Sequence, residues 1–235
     1  MHRSTPAVVN LGIGTPEEIA RQLALNPRNT LDREFMLTVE SGAIGGTPAG
    51  GMSFGATSHP QAVIKQGELF DFYDGGGIDI AFLGFGQIDK NGRVNVASLG
   101  NKLNGVGGFI NISQAAKRLV FCGSFTASGL QVVSDDTQHI SIAKEGRIHK
   151  LVERVERICY DPSGRAGCRS PLVITERAVM RLSSHGLEVI EIAPGVDLRR
   201  DVLERSGFPL TVSSHLKTMP LSVFSSGEVS SPFVT

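Results

Sequence analysis

The chain has 235 residues and carries 23 basic and 23 acidic side chains. This length suits one sizeable α/β domain, and the balanced charge argues against a nucleic acid or a membrane surface as partner. No segment is apolar enough for a secretory signal or a membrane span, and the three dispersed cysteines are typical of free thiols, so the sequence predicts a cytoplasmic globular protein.

The first half of the chain alternates apolar strands with helices. Strands are predicted at VVNLGIG, Phe35–Glu40, Ile78–Gly84 and LVFCGSF. A helix is predicted from Pro16 to about Leu25, with Thr15 and Glu18 as its capping box, and a shorter helix at ISQAAKR. This alternation favours a parallel or mixed sheet.

The second half consists of predicted strands joined by short connections, which indicates antiparallel additions. HISIAK, LVIT and LEVIEIA are strands by pattern, and IHKLVERVERICY fits either a helix or a strand, of which we favour the strand. Asp197–Arg205 is predicted to be a helix, and the serine-rich tail from about residue 221 to be frayed. We therefore predict a single domain over residues 1–235, an α/β fold with an open, mixed, largely parallel sheet and flanking helices.

The segment LGIGTPEE looks like a dinucleotide-binding turn but lacks its third glycine. Gly12 and Gly14 follow a strand, whereas Glu17 occupies the third glycine position. Glu17 and Glu18 also place negative charge where a pyrophosphate would bind. A tight turn before a capped helix explains the segment better.

Glu40 stands between an apolar strand and the glycine-dense segment SGAIGGTPAGG. Gly42, Gly45 and Gly46 leave backbone N–H groups unobstructed, and such donors can stabilise an oxyanion. A carboxylate in that setting can attack an activated acyl group, although a glutamate that only ends a strand is an equal alternative. No His, Cys or Asp stands nearby at ligand spacing, so no metal site is predicted.

Other polar and glycine-rich positions give weaker signals. His59, beside a proline, is typical of a turn, and Asp71 and Asp74 are possible carboxylate partners that nothing in the sequence places beside Glu40. The loop NGVGGF suits either a flexible turn or a cradle for an extended ligand. Its candidate residues are Gly105, Gly107, Gly108 and Phe109.

The order of these segments resembles the carboxyl-terminal half of the single-chain family I CoA-transferases, and the acetate and propionate branch is the most similar. The resemblance covers roughly residues 8 to 220. The matching segments are VNLGIGTPEEIA, VESGAIGGTPAGG, FGATSHP, FDFYDGGGIDIAFLG, QIDKNGRVNVA, GVGGF, VFCGSFTASGL, ITERAVMRL and IEIAPGVDL.

The resemblance implies a reaction between an acyl-CoA and a small carboxylate. The family's nucleophilic glutamate matches Glu40, which would attack the thioester and then carry CoA as a glutamyl-CoA thioester in a ping-pong cycle. The family's CoA-binding segment matches Gly105, Gly107, Gly108 and Phe109. No cofactor or metal is implied, because coenzyme A is a substrate.

The resemblance also bears on partners. Single-chain members carry a first half before this region. The chain is therefore expected to be a β subunit that works with an α subunit, to self-associate, or to be a fragment or a degenerate homologue. One alternative is a sugar-phosphate-isomerase-like protein with Glu40 as base, for which Lys102 is the nearest candidate for a phosphate clamp. A non-catalytic structural or regulatory subunit is the other alternative.

Overall fold

The computed structural model describes residues 5–25, 34–99, 102–164, 170–183 and 186–224. The chain groups into two compact units. Unit 1 comprises Met1–Phe85, Asn104–Cys122 and Ser163–Pro171, and unit 2 comprises Gly86–Leu103, Gly123–Pro162 and Leu172–Thr235. This grouping does not test whether the chain folds as one domain, so the single domain over residues 1–235 stays a prediction.

The elements are numbered along the chain within the described residues. The α-helices are α1 (Thr15–Leu25), α2 (Gln66–Phe72) and α3 (Phe109–Ala115). The strands are β1 (Ala7–Leu11), β2 (Phe35–Val39), β3 (Ala43–Ile44), β4 (Thr47–Pro48), β5 (Thr57–Ser58), β6 (Ala62–Val63), β7 (Ile80–Gly84), β8 (Gln87–Asp89), β9 (Val94–Asn95), β10 (Ser98–Leu99), β11 (Lys102–Leu103), β12 (Arg118–Cys122), β13 (Thr126–Ala127), β14 (Gln131–Ser134), β15 (Ile140–Lys144), β16 (Ile148–His149), β17 (Leu151–Val152), β18 (Leu172–Ile174), β19 (Ala178–Ser183), β20 (Gly186–Ile192) and β21 (Thr211–Thr218).

Unit 1 contains four parallel strands in the order β12, β7, β1 and β2, followed by the antiparallel strands β3 and β6. Val9, Leu11 and Leu37 form a buried cluster with Ala20 of α1, which explains why the apolar runs of β1 and β2 pack beneath that helix. Because the strands are parallel, the loops that follow Leu11 and Val39 leave from the same edge of the sheet. This edge carries the candidate site.

Unit 2 has a different strand pattern. Strands β18, β19 and β20 are antiparallel, and β21 adds in parallel to β20. Smaller ladders join β8 to β17 and to β9, β13 to β16, and β14 to β15. The two units together confirm the predicted α/β fold, with parallel strands early in the chain and antiparallel additions later.

A buried arginine holds together the centre of unit 2. The Arg177 side chain is fully buried and donates to Glu145 at 2.6 and 3.1 Å, to Glu176 at 2.5 Å and to the Asp201 carbonyl at 2.9 Å. Its guanidinium lies 4.9 Å from the centroid of the Phe125 ring. A buried charge needs such complete pairing, so this network fixes the loops around β19.

Several predicted elements differ in detail. The helix predicted at ISQAAKR begins earlier, at Phe109, and the ambiguous segment forms only the two short strands β16 and β17 before irregular chain. The helix predicted at Asp197–Arg205 is a π-helical turn, Leu198–Val202, followed by a 3₁₀ turn. Side-chain packing, which decides such boundaries, is not visible in local periodicity.

Two further expectations concern cysteines and membranes. Cys122 and Cys159 are buried free thiols, and Cys168 lies outside the described residues. The tail from residue 225 onward also lies outside them. Among the helices that the structure describes, none combines the length and the apolar character needed to cross a membrane.

Candidate active site at the carboxyl edge of the parallel strands

Glu40 directly follows β2, as predicted, and the chain reverses immediately after it. The Gly42 N–H donates to the Val39 carbonyl at 2.9 Å, and the Gly45 N–H donates to the Leu37 carbonyl at 2.8 Å. Gly42 has a φ of +118°, and a Cβ atom there would collide with the Ile64 carbonyl oxygen. The glycines after Glu40 are therefore required by a tight turn that leads into β3.

This turn corrects the predicted role of two of the first three glycines. Gly42 and Gly45 are not free oxyanion donors, because their N–H groups already bond carbonyls of β2. Gly46 has a φ of +70°, and a Cβ atom there would lie 2.6 Å from the His59 carbonyl oxygen. We conclude that all three glycines shape the turn. His59 has a φ of +54°, which agrees with its predicted turn role.

The second glycine loop meets the Glu40 carboxylate. A Cβ atom on Gly108 would collide with Glu40 Oε2, and one on Gly107 would lie 3.8 Å from Glu40 Oε1. Burial raises the pKa of Glu40, and a hydrogen bond from the Gly108 backbone N–H opposes that rise by favouring the ionised form. The structure thus brings together Glu40, Gly107 and Gly108, which lie far apart in sequence.

The other two members of that loop have different surroundings. Gly105 has a φ of +78° and open space around it, as a flexible turn requires. Phe109 is buried at the start of α3, with its ring 6.0 Å from the ring of Phe121 and nearly parallel to it. Phe109 therefore anchors the loop in the core of unit 1 and does not present its ring to a ligand in this structure.

The strand that leads to Glu40 takes part in a buried network of side-chain hydrogen bonds, which was not predicted from the sequence. The Tyr73 hydroxyl donates to Thr38 Oγ1 at 2.8 Å and accepts from Asn10 Nδ2 at 3.2 Å, and Thr38 Oγ1 donates to the Val9 carbonyl at 3.0 Å. The available signal was two polar residues, Asn10 and Thr38, in otherwise apolar strands. They are paired in register across β1 and β2.

The remaining carboxylate candidates do not form an acid/base pair with Glu40. Asp74 accepts from Asn111 Nδ2 at 3.0 and 3.2 Å, so it secures α3. Asp71 is exposed. The side chain of Lys102, the predicted phosphate-clamp candidate, lies outside the described part of the chain.

Glu17 lies in the first turn of α1, where a dinucleotide-binding protein would bind a phosphate. Its Oε1 accepts from the Gly14 N–H at 2.8 Å and its Oε2 accepts from the Gly51 N–H at 2.7 Å. The predicted capping box is therefore wrong by one position: Glu17 reaches back to the residue before the helix, and Glu18 pairs with Arg21 instead. The carboxylate joins the two glycine loops on either side of it, and its own charge excludes a pyrophosphate.

Loss of this bridge is expected to lower stability. Glu17→Ala leaves the N–H groups of Gly14 and Gly51 without their carboxylate, and we expect a loss of about 1 kcal/mol in the free energy of unfolding. Glu18→Ala is the matched control, since it removes an exposed ion pair worth about 0.5 kcal/mol or less. Urea unfolding of both variants measures the difference, and equal losses would show that the bridge contributes no more than an exposed ion pair.

No protein-family model matches the sequence. The chain is 39% identical over 221 residues to the acetate CoA-transferase YdiF of Escherichia coli strain K12, an alignment that covers 93% of this chain and 40% of that protein. It is 31% identical over 201 residues to a probable coenzyme A transferase subunit beta of Bacillus subtilis strain 168, covering 80% of each.

A solved structure agrees with these relatives. The acyl-CoA transferase YdiF of E. coli O157:H7, crystallised as a thioester complex with CoA, superposes with a TM-score of 0.83 at 36% identity. The match covers 94% of this chain and 41% of that one, so the chain spans about two fifths of the length of these YdiF proteins. By sequence and by fold, the chain belongs to the CoA-transferase family.

Proposed function

We propose that this chain supplies the nucleophile of an enzyme that moves CoA between a short-chain acyl-CoA and a carboxylate. The observation that carries the proposal is the Glu40 carboxylate, which is partly buried at the end of β2 and lies directly against the backbone of Gly108. A carboxylate with little water around it is a better nucleophile than a hydrated one. The Gly108 backbone favours the ionised carboxylate and does not itself titrate, so it opposes the rise in pKa that burial causes.

The first half of the reaction forms an anhydride. A Glu40 oxygen attacks the thioester carbonyl carbon, a C–O bond forms, the C–S bond breaks, and CoA leaves as a thiolate. The thiolate then attacks the carbonyl carbon of the glutamyl group. A C–S bond forms there, the anhydride C–O bond breaks, and the first carboxylate departs with its charge. Neither step consumes a proton, so neither needs a general acid.

The second half reverses these steps with a new acid. The incoming carboxylate attacks the glutamyl carbon, a C–O bond forms, the C–S bond breaks, and the CoA thiolate is released. The thiolate then attacks the carbonyl carbon of the new acyl group, a C–S bond forms there, the anhydride C–O bond breaks, and Glu40 leaves as a free carboxylate. When the thiolate (first half) or the incoming carboxylate (second half) attacks the glutamyl carbon, negative charge develops on an oxygen of Glu40 itself. The Gly108 N–H already faces this carboxylate, so it is placed to stabilise that oxyanion.

The proposed partner and substrates follow from the relatives. The Bacillus relative is named as a subunit beta, which supports a β-type role for this chain beside an α-type subunit or segment. The E. coli relative is named an acetate CoA-transferase, which supports acetyl-CoA and acetate as substrates, with propionate as the next larger acid.

Mass spectrometry tests the proposal. A preparation that joins this chain to the subunit or segment completing the relatives' length is incubated with acetyl-CoA and digested. We expect a CoA adduct on the peptide that contains Glu40, and we expect excess acetate to remove it. CoA thiol without an acyl group is the control and should give no adduct. An adduct on another residue, or none, would overturn the assignment.

A further inference from the structure

Phe70 borders the Glu40 carboxylate. A Cβ atom added to Gly108 would lie 2.6 Å from Phe70 Cζ and would also collide with Glu40 Oε2. The tip of the phenyl ring and the carboxylate oxygen therefore face the same small space beside Gly108. Phe70 is only partly buried, in contrast to the buried Phe109.

The ring of Phe70 packs against the ring of Tyr73. The two rings pack edge to face, with centroids 5.7 Å apart and planes at 72°. Tyr73 is fully buried, and its hydroxyl is fixed by the hydrogen bonds to Thr38 and Asn10 described above. Because Tyr73 cannot turn without breaking those bonds, the position of Phe70 beside Glu40 is defined by the packed core.

An acyl group attached to Glu40 would start close to this ring. In the proposed mechanism the acyl carbon bonds to an oxygen of Glu40, so the first carbons of the acyl chain start beside the space that Phe70 limits. An aliphatic chain gains only apolar contact, which an aromatic ring supplies up to the length that fits. We infer that Phe70 determines acyl-group specificity and restricts the site to short, unbranched acyl groups. The inference rests on the proposed function.

Phe70→Ala tests the inference. The completed enzyme is assayed with acetyl-CoA and with hexanoyl-CoA, and the ratio of their kcat/KM values is compared between variants. We expect the ratio to move about tenfold or more towards hexanoyl-CoA, because a pocket discriminates by roughly this factor for a small change in apolar volume. Phe70→Leu fills part of the space and should give a smaller shift in the same direction. Because leucine leaves a smaller cavity than alanine, this variant tests the ratio in a protein whose fold is less disturbed.

Phe72→Ala is the matched control. Phe72 lies in the same helix and is 46% exposed, and its ring lies against Gly77 instead of Gly108. Its ratio should equal that of the unmodified enzyme. If Phe70→Ala lowers kcat/KM equally for both acyl-CoAs, or leaves the ratio unchanged while the Glu40 adduct still forms, the specificity role is refuted and the proposed function stands. If the unmodified enzyme forms no Glu40 adduct, the proposed function fails and the inference fails with it.

Discussion

Glu40→Gln is expected to abolish CoA transfer, with a loss of more than about 10⁴-fold in kcat. The amide has nearly the same shape as the carboxylate, but its oxygen is a poor nucleophile and cannot form the anhydride. Glu40→Asp keeps the charge and shortens the side chain by one methylene, which moves the attacking oxygen away from the thioester. Because misplacement by about 1 Å costs about 10²-fold, this variant should also be severely impaired.

The stability of Glu40→Gln distinguishes a lost nucleophile from a damaged fold. The pKa of Glu40 is raised above its ordinary value of 4.5 in the folded protein, mainly because burial disfavours the charged form. The folded state therefore binds the proton more tightly than the unfolded state, and stability falls as the pH rises from 4.5 through the folded pKa. Above that range, wild-type Glu40 is ionised and its burial costs stability.

Glutamine carries no charge and avoids this cost. We therefore expect Glu40→Gln to melt at a higher temperature than wild type at about pH 8, and the difference to disappear at about pH 4, where both side chains are neutral. Thermal unfolding at the two pH values measures this. A variant that is less stable than wild type at about pH 8 would contradict the assigned electrostatics, and its inactivity would then reflect a damaged fold.

The sequence predicted the strand framework and the position of Glu40 because both depend on local patterns. Apolar runs identified β1, β2, β7 and β12, and the glycine-dense segment after Val39 marked the reversal of the chain. The family followed from the order of several such segments. Local patterns were sufficient wherever one strand or one turn decides the conformation.

The features that the sequence did not predict depend on contacts between residues that are distant in sequence. The hydrogen bonds of Gly42 and Gly45 to β2 depend on how the turn folds back, so bare N–H groups in the sequence did not mean free donors in the structure. The meeting of Gly108 with Glu40 depends on the parallel order of the strands. The ring of Phe109 is buried against Phe121, which a glycine-glycine-aromatic motif alone does not reveal.

Gly108→Ala is expected to lower the rate of Glu40 adduct formation by about 10²- to 10³-fold, the usual effect of losing one oxyanion donor. The added Cβ would occupy the place of Glu40 Oε2 and would lie 2.6 Å from Phe70 Cζ, so the carboxylate has to move away from the Gly108 N–H. Backbone strain does not contribute to the lost rate, because Gly108 has φ −78° and ψ 0°, which alanine adopts freely. Because the new methyl group also crowds the Phe70 ring, we expect a loss of about 1–3 kcal/mol in the free energy of unfolding as well.

Gly67→Ala is the matched control for this prediction. Gly67 lies in α2, and a Cβ atom there would meet nothing within 4 Å. It should leave the adduct rate unchanged and raise the free energy of unfolding by about 0.5–1 kcal/mol. The double variant Gly108→Ala/Phe70→Ala separates crowding from other effects: removal of the ring gives the new methyl group room on one side, so part of the lost rate should return. A double variant as slow as Gly108→Ala, or slower, would show that the ring does not hold the methyl group against Glu40.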